Sequence, residues 1–126
     1  MHPFRRLKVW RKAHELALRS CRATAGLPNA AYPGLAAQIR RAAVSIPANI
    51  AEGAGRDTPR QFAHHLEIAI RSARELDYLL LLSRDLGPIS PMEHARLAAR
   101  AELVCAMLVA LRKRVRGQGG SRLEGD

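Results

Sequence analysis

Arg60 and His65 are separated by four residues, with His64 between them. A histidine gives and takes protons near neutral pH, and a guanidinium holds phosphate oxygens. In a chain this rich in arginine the spacing also arises by chance. Other chemistries find no matching pattern. A di-iron centre in a helical bundle needs Glu-x-x-His on two helices, and no glutamate here is followed three residues later by histidine. His64 and His65 are adjacent, so on a helix they point about 100° apart and do not readily share a metal. One or both read as surface histidine. Cys21 and Cys105 form no Cys-x-x-Cys pair, which argues against zinc and for buried free thiols in a reducing compartment. Gly53-Ala54-Gly55 follows a helical pattern rather than a strand, unlike a phosphate-binding glycine loop. No Ser–His–Asp or Cys–His arrangement stands out. The expectation is a non-enzymatic protein with no metal and no cofactor.

A second group is a polar line. Gln38, Arg41, Ser45, Asn49 and Glu52 recur at steps of 3, 4, 4 and 3, which places them along one side of a helix. That line runs directly beside the apolar stripe Ile39, Ala42, Ile46 and Ile50. It therefore borders the core, and it should meet another helix or another subunit. Pro47 lies within the same stretch, where it removes a backbone donor and favours a bend. Glu52 sits in the last helical turn, where the helix dipole disfavours a negative charge. Arg56, or a base on another helix, is its expected partner. Asn49, Glu52 and Arg56 are either a fixed polar site or a helix end capped by local hydrogen bonds.

The third group is cationic. The chain carries a net charge of +10, and Lys8, Lys12 and Lys113 are its only lysines among 21 basic residues. Arg5, Arg6, Lys8, Arg11, Lys12, Arg19 and Arg22 face Glu15 as the single acid of their segment, and Arg112, Lys113, Arg114 and Arg116 form a second run. A strongly basic small protein implies an anionic partner, above all nucleic acid. The expected phosphate contacts are Arg5, Arg6, Lys8, Arg11, Lys12, Arg112, Lys113 and Arg114. Binding should be salt-sensitive and weakly sequence-dependent. Phe4, Trp10, Tyr32, Phe62 and Tyr78 are the only aromatics apart from histidine, too few for a single-strand stacking platform. Contacts to a folded or duplex nucleic acid fit better. A solvated basic face is the plain alternative.

Helices must position these groups. Leu7, Trp10, Ala13, Ala17 and Cys21 form one helical stripe, and Gly26-Leu27-Pro28-Asn29 ends it. Leu35 to Ile50 form a second, which Gly53 and Gly55 stop, Gly53 as a left-handed cap. Thr58-Pro59 opens a third stripe of Phe62, Leu66, Ala69, Ala73, Leu76 and Leu80, and Gly87-Pro88 closes it. Ser90-Pro91-Met92-Glu93 reads as a capping box before Leu97, Ala101, Val104, Leu108, Leu111 and Val115. Helices are therefore expected over about 6–25, 34–52, 59–86 and 91–115. They make one all-α domain, 1–116, an antiparallel up-down-up-down four-helix bundle. The Gly-rich segment 117–126 is expected to be disordered. MHPFRRLKVWRK has no apolar run after its basic residues and does not read as a signal peptide. No apolar stretch approaches membrane-spanning length, so a cytoplasmic protein is expected, with no membrane partner. In an antiparallel bundle the start of helix one and the end of helix four share one end, which would merge the two cationic runs.

QIRRAAVSIPANIAEGAGR, followed by FAHHLEIAIRSARELDYLLLLSRDLG, resembles the four-helix-bundle proteins encoded in intervening sequences of 23S ribosomal RNA genes. FRRLKVWRKAHELA is similar to the Phe-x-x-Leu-x-Val-Trp opening of that family. The resemblance covers Phe4 to about Leu111. Ser45, Ile46, Asn49, Ile50, Ala51, Glu52, Gly53 and Arg56 carry it, with Phe62, Leu66, Ala69, Ser72, Glu75 and Leu76. Arg71 departs from a common glycine before the serine, and Pro88 from a common aromatic after Leu-Gly. The resemblance implies a closed four-helix bundle and a homopentamer. It also implies kinship with the accessory protein of diversity-generating retroelements, a pentameric bundle that binds nucleic acid and a reverse transcriptase. On that basis RNA is expected over DNA as partner, ribosomal RNA in particular. The polar line Gln38, Arg41, Ser45, Asn49, Glu52 and Arg56 is then expected at a subunit or helix–helix contact. The alternative is an adaptor whose main partner is a protein such as a reverse transcriptase. A further alternative rests on Arg60 and His65, which resemble the Arg-x(4–6)-His signature of HEPN ribonucleases. That family places its motif on a late helix and a polar residue directly after the arginine, where Gln61 stands here.

Overall fold

Helix starts and stops follow the punctuation in the chain. The computed structural model describes residues 4–125, with side chains through Gln118. A 3-10 turn, Phe4–Arg6, precedes α1, Lys8–Thr24; then come α2, Leu35–Ala54, α3, Pro59–Leu86, and α4, Pro91–Gly125. No strand occurs among the described residues.

Two glycines stand at sharp ends. Gly34 precedes α2 at φ 76°, and Gly87 follows α3 at φ 110°, a region that side chains with a Cβ avoid. The Gly87 amide donates to the Ser83 and Arg84 carbonyls at 3.1 Å each, which satisfies the end of α3. Asn29 Oδ1 accepts from the Gly34 amide at 3.0 Å and holds the long first connection. α3 begins with a complete capping box. Thr58 Oγ1 accepts from the Gln61 amide at 3.1 Å, and Gln61 Oε1 accepts from the Thr58 amide at 3.3 Å. At α4 only half of the expected box forms: Ser90 Oγ accepts from the Glu93 amide at 3.1 Å.

The helices pack in a ring, α1 on α2, α2 on α3, α3 on α4 and α4 back on α1. With their short connections this is the antiparallel up-down-up-down bundle. Leu16, Ile39, Ile46, Ile50, Leu66, Leu76, Leu80, Leu97 and Leu108 are fully buried along its axis. Each contributes about 1.5–3 kcal/mol of apolar burial, so the core rests on aliphatics rather than aromatics.

Three expectations change. Gly53 is not a left-handed cap. It lies inside α2, and Gly55 closes the helix at φ −87°, its amide donating to the Glu52 carbonyl at 3.2 Å. The reason for a glycine at 53 is proximity: an added Cβ would fall 2.7 Å from His65 Cβ and 3.0 Å from Phe62 Cδ1. α2 and α3 cross here closer than side chains permit. Second, the two cysteines, Cys21 and Cys105, expected to be buried, are free and of intermediate exposure; Pro47 lies buried inside α2, within the helix expected over it. Third, α4 does not end near 115. Its backbone is helical through Gly125, across much of the segment read as a disordered tail, while Asp126 lies outside the described residues. The run contains no proline and no positive-φ glycine among the described residues. A glycine costs a helix about 1 kcal/mol without forbidding it.

Candidate nucleic-acid interface

In this topology the first residues of α1 and α3 share one end of the bundle with the last residues of α2 and α4. The 3-10 turn packs on both α1 and α2 there. An aromatic stack fixes it. Phe4 meets Trp10 edge-on at 5.1 Å, and Trp10 lies flat on His14 at 4.9 Å. Arg11 completes the clamp, its Nη1 donating to the carbonyls of Arg5 at 3.2 Å and Arg6 at 2.9 Å.

The expected cations divide into groups. Arg5, Arg6, Lys8, Lys113 and Arg114 are exposed and meet no carboxylate among the described residues. Arg11 is exposed, but its guanidinium serves the turn. Lys12 is half-buried and its charge reaches Glu15. Arg112 is half-buried, 3.8 Å from Glu67, and Arg116 also pairs with Glu67. One carboxylate thus serves two guanidiniums, which leaves net positive charge. Exposed pairs of this kind contribute about 0–1 kcal/mol. The start of α1 is unusual for its charge. Leu7 offers no capping side chain, and the first turn carries no acid. A helix N-terminus favours negative charge, yet here it is ringed by cations.

The polar line splits. Ser45 and Asn49 meet α3: Ser45 Oγ lies 2.8 Å from Ser72 Oγ, and Asn49 Oδ1 lies 3.2 Å from His65 Nδ1. Asn49 Nδ2 donates to the Ser45 carbonyl at 2.8 Å and to Ser45 Oγ at 3.0 Å. Glu52 accepts from Arg56 Nη2 at 2.7 Å, the partner expected from the helix dipole. Gln38 and Arg41 are exposed and touch no other helix by hydrogen bond among the described residues. His65, read as a surface residue, is half-buried and belongs to this network, whereas His64 is exposed. A signal for it was present. His65 and Ser72 lie seven residues apart on one face of α3, and Ser45 and Asn49 four apart on one face of α2, so each pair could be read as a line facing the other helix. Arg56, Arg60, Gln61, His64 and His65 line a pocket of about 390 Å³ at the α2–α3 corner.

Elsewhere, α1 and α4 enclose an open groove of about 1060 Å³ lined by Leu18, Arg19, Arg22, Arg96, Arg100 and Leu103 among others. Leu18 is 40% and Leu103 49% exposed. Glu15 crosses it, bonded to Arg19 at 3.1 Å and Arg100 at 3.0 Å. The Arg19 hydrogen bond, then the Arg100 charge, holds the Glu15 carboxyl below its ordinary range. With the value lowered, the contribution of the pair is present above the ordinary glutamate value and is lost as pH falls through the lower folded one. No group of three or more potential metal ligands occurs among the described residues. No helix among them is long and apolar enough to cross a membrane.

Comparison with known proteins bears on the family. The model of the 23S rRNA-intervening sequence protein family matches residues 5–110. No curated protein matches. Among solved structures, the chain is similar to a protein of unknown function from the S23 ribosomal protein family of Bacteroides thetaiotaomicron. The two are 24% identical, with a TM-score of 0.76 over 83% of this chain and 98% of that one. That likeness shows the shared bundle fold. With the family's span reaching from the 3-10 turn to the middle third of α4, the chain belongs to the 23S rRNA-intervening sequence protein family.

Proposed function

We propose that the protein is a non-enzymatic, oligomeric bundle that binds folded or duplex RNA through phosphates at the cationic end, in the cytoplasm. The observation that carries this reading is the start of α1, where Arg5, Arg6 and Lys8 crowd a helix N-terminus with neither cap nor acid; α4 carries the exposed Lys113 and Arg114 toward the same end of the bundle. The name of the family supports ribosomal RNA as the partner. The exposed members of the polar line, Gln38, Arg41, Glu52 and Arg56, are available for contact with a second copy. A ring of five, which the family resemblance implies, would repeat the cationic end by symmetry, so that weak phosphate contacts add in one complex. The test is titration of a labelled hairpin RNA, with light scattering on the same sample. Affinity should fall on the order of 10³-fold or more between about 50 and 200 mM salt, and the scattering mass should be a multiple of the monomer. No binding at low salt overturns the reading.

The groove between α1 and α4 favours a second reading, an adaptor for a protein. Its exposed leucines among arginines suit an acidic amphipathic helix. Co-purification of such a protein without nucleic acid would select it. The ribonuclease reading finds Arg60 and His65 lining one pocket, with His65 Nδ1 held by Asn49; cleavage of a labelled structured RNA that His65→Ala abolishes would select it.

A further inference from the structure

The network between α2 and α3 fixes more than packing. Asn49 Nδ2 donates to the Ser45 carbonyl oxygen, and a carbonyl only accepts. The amide therefore turns its Oδ1 toward His65 Nδ1. Oδ1 also only accepts, so Nδ1 must carry the hydrogen. Nε2 is the one ring nitrogen left for the corner pocket. That pocket is shared with Arg56, Arg60, Gln61 and His64. Arg60 is exposed and meets no carboxylate among the described residues, while Arg56 is held by Glu52 at 2.7 Å. Gly53 brings the two helices close enough for Asn49 to reach His65.

We propose that this corner is a phosphate-binding site, in which His65 Nε2 and Arg60 bind the oxygens of one phosphate and Arg56 adds charge. It rests on the RNA reading for its natural ligand, though not for its chemistry. A phosphodiester at physiological pH has no proton and only accepts hydrogen bonds, as do the ionised oxygens of inorganic phosphate, so Nε2 holds a hydrogen when it binds such an oxygen. Since Nδ1 already holds one, the ring takes up one proton from solvent and becomes imidazolium. The charged groups around the ring are Glu52 from α2, Arg56 from the connection, and Arg60 and His64 from α3. Asp57 follows Arg56 in the same connection; the charged groups that line the pocket itself, Arg56 and Arg60, are both cations, which a bound phosphate offsets. Asn49, accepting from Nδ1, holds the ring in place.

The test uses protein labelled with nitrogen-15 in histidine, read by long-range correlation of ring nitrogens and carbon-bound hydrogens. The free protein should show His65 with its neutral-form hydrogen on Nδ1. Inorganic phosphate, and separately a hairpin RNA, should each move His65 Nε2 toward its protonated position while His94, on α4, stays fixed. Arg60→Ala should lower RNA affinity roughly 3–10-fold and reduce the salt slope by about 1; Arg40→Ala should change neither. A free His65 with its hydrogen on Nε2 overturns the proposal. So does RNA that binds while His65 stays unmoved, or phosphate that leaves it unmoved. Phosphate that moves His65 in protein that binds no RNA supports the corner site and removes the RNA reading alone.

Discussion

Replacing Arg5, Arg6, Lys113 and Arg114 together with glutamine should weaken RNA binding on the order of 10³-fold at about 0.1 M salt. The size follows from counterion release. Each phosphate neutralised on duplex nucleic acid frees roughly 0.9 of a counterion. Four lost contacts therefore flatten the slope of log affinity against log salt by about 3.6. The fold should survive, because these side chains are exposed and meet no carboxylate among the described residues. Surface changes of this kind usually stay within about 0.5 kcal/mol. Replacing Arg71 and Arg74, exposed midway along α3, removes net charge without touching the cationic end. It should cost far less. Equal losses from the two variants would mean that overall charge, not its placement, drives binding.

Gly53→Ala should destabilise the bundle by about 1–3 kcal/mol. The new Cβ would sit 2.7 Å from His65 Cβ and 3.3 Å from the Phe62 carbonyl oxygen. Neither is the tip of a flexible side chain, so α2 and α3 must separate. Alanine returns about 1 kcal/mol of helix propensity, and the clash exceeds that. Separation also strains the 3.2 Å Asn49–His65 contact, so the variant should lose the His65 tautomer signature along with stability. Urea unfolding checks it. A lower midpoint at unchanged slope is expected, and an unchanged or raised midpoint would show that α3 yields freely.

The same glycine shows where sequence reasoning reaches and where it stops. Periodicity and punctuation place four helices within a few residues, because Gly34, Thr58-Pro59 and Gly87 act locally. The role of Gly53 is tertiary: the sequence shows a glycine near a helix end, and only the α2–α3 crossing shows the neighbour it must admit. Glu52 with Arg56 was legible because both partners lie one turn apart. Ser45 and Asn49 were legible as a line beside the core, while their partners Ser72 and His65 depend on the register between two helices. Glu67 was missed for the same reason. Nothing near it in the chain announces that Arg112 and Arg116 will share it. The backbone of α4 runs on beyond 115 into the Gly-rich segment, where no positive-φ glycine occurs among the described residues; glycine content alone does not mark where a helix stops.

Arginine footprinting with phenylglyoxal, read by mass spectrometry with and without bound hairpin RNA, tests the central claim most directly. The cationic end should be shielded, with Arg5, Arg6 and Arg114 protected most, while Arg40, Arg71, Arg74 and Arg96 react as in free protein. Protection spread evenly over all arginines, or centred on Arg71 and Arg74, would contradict the account.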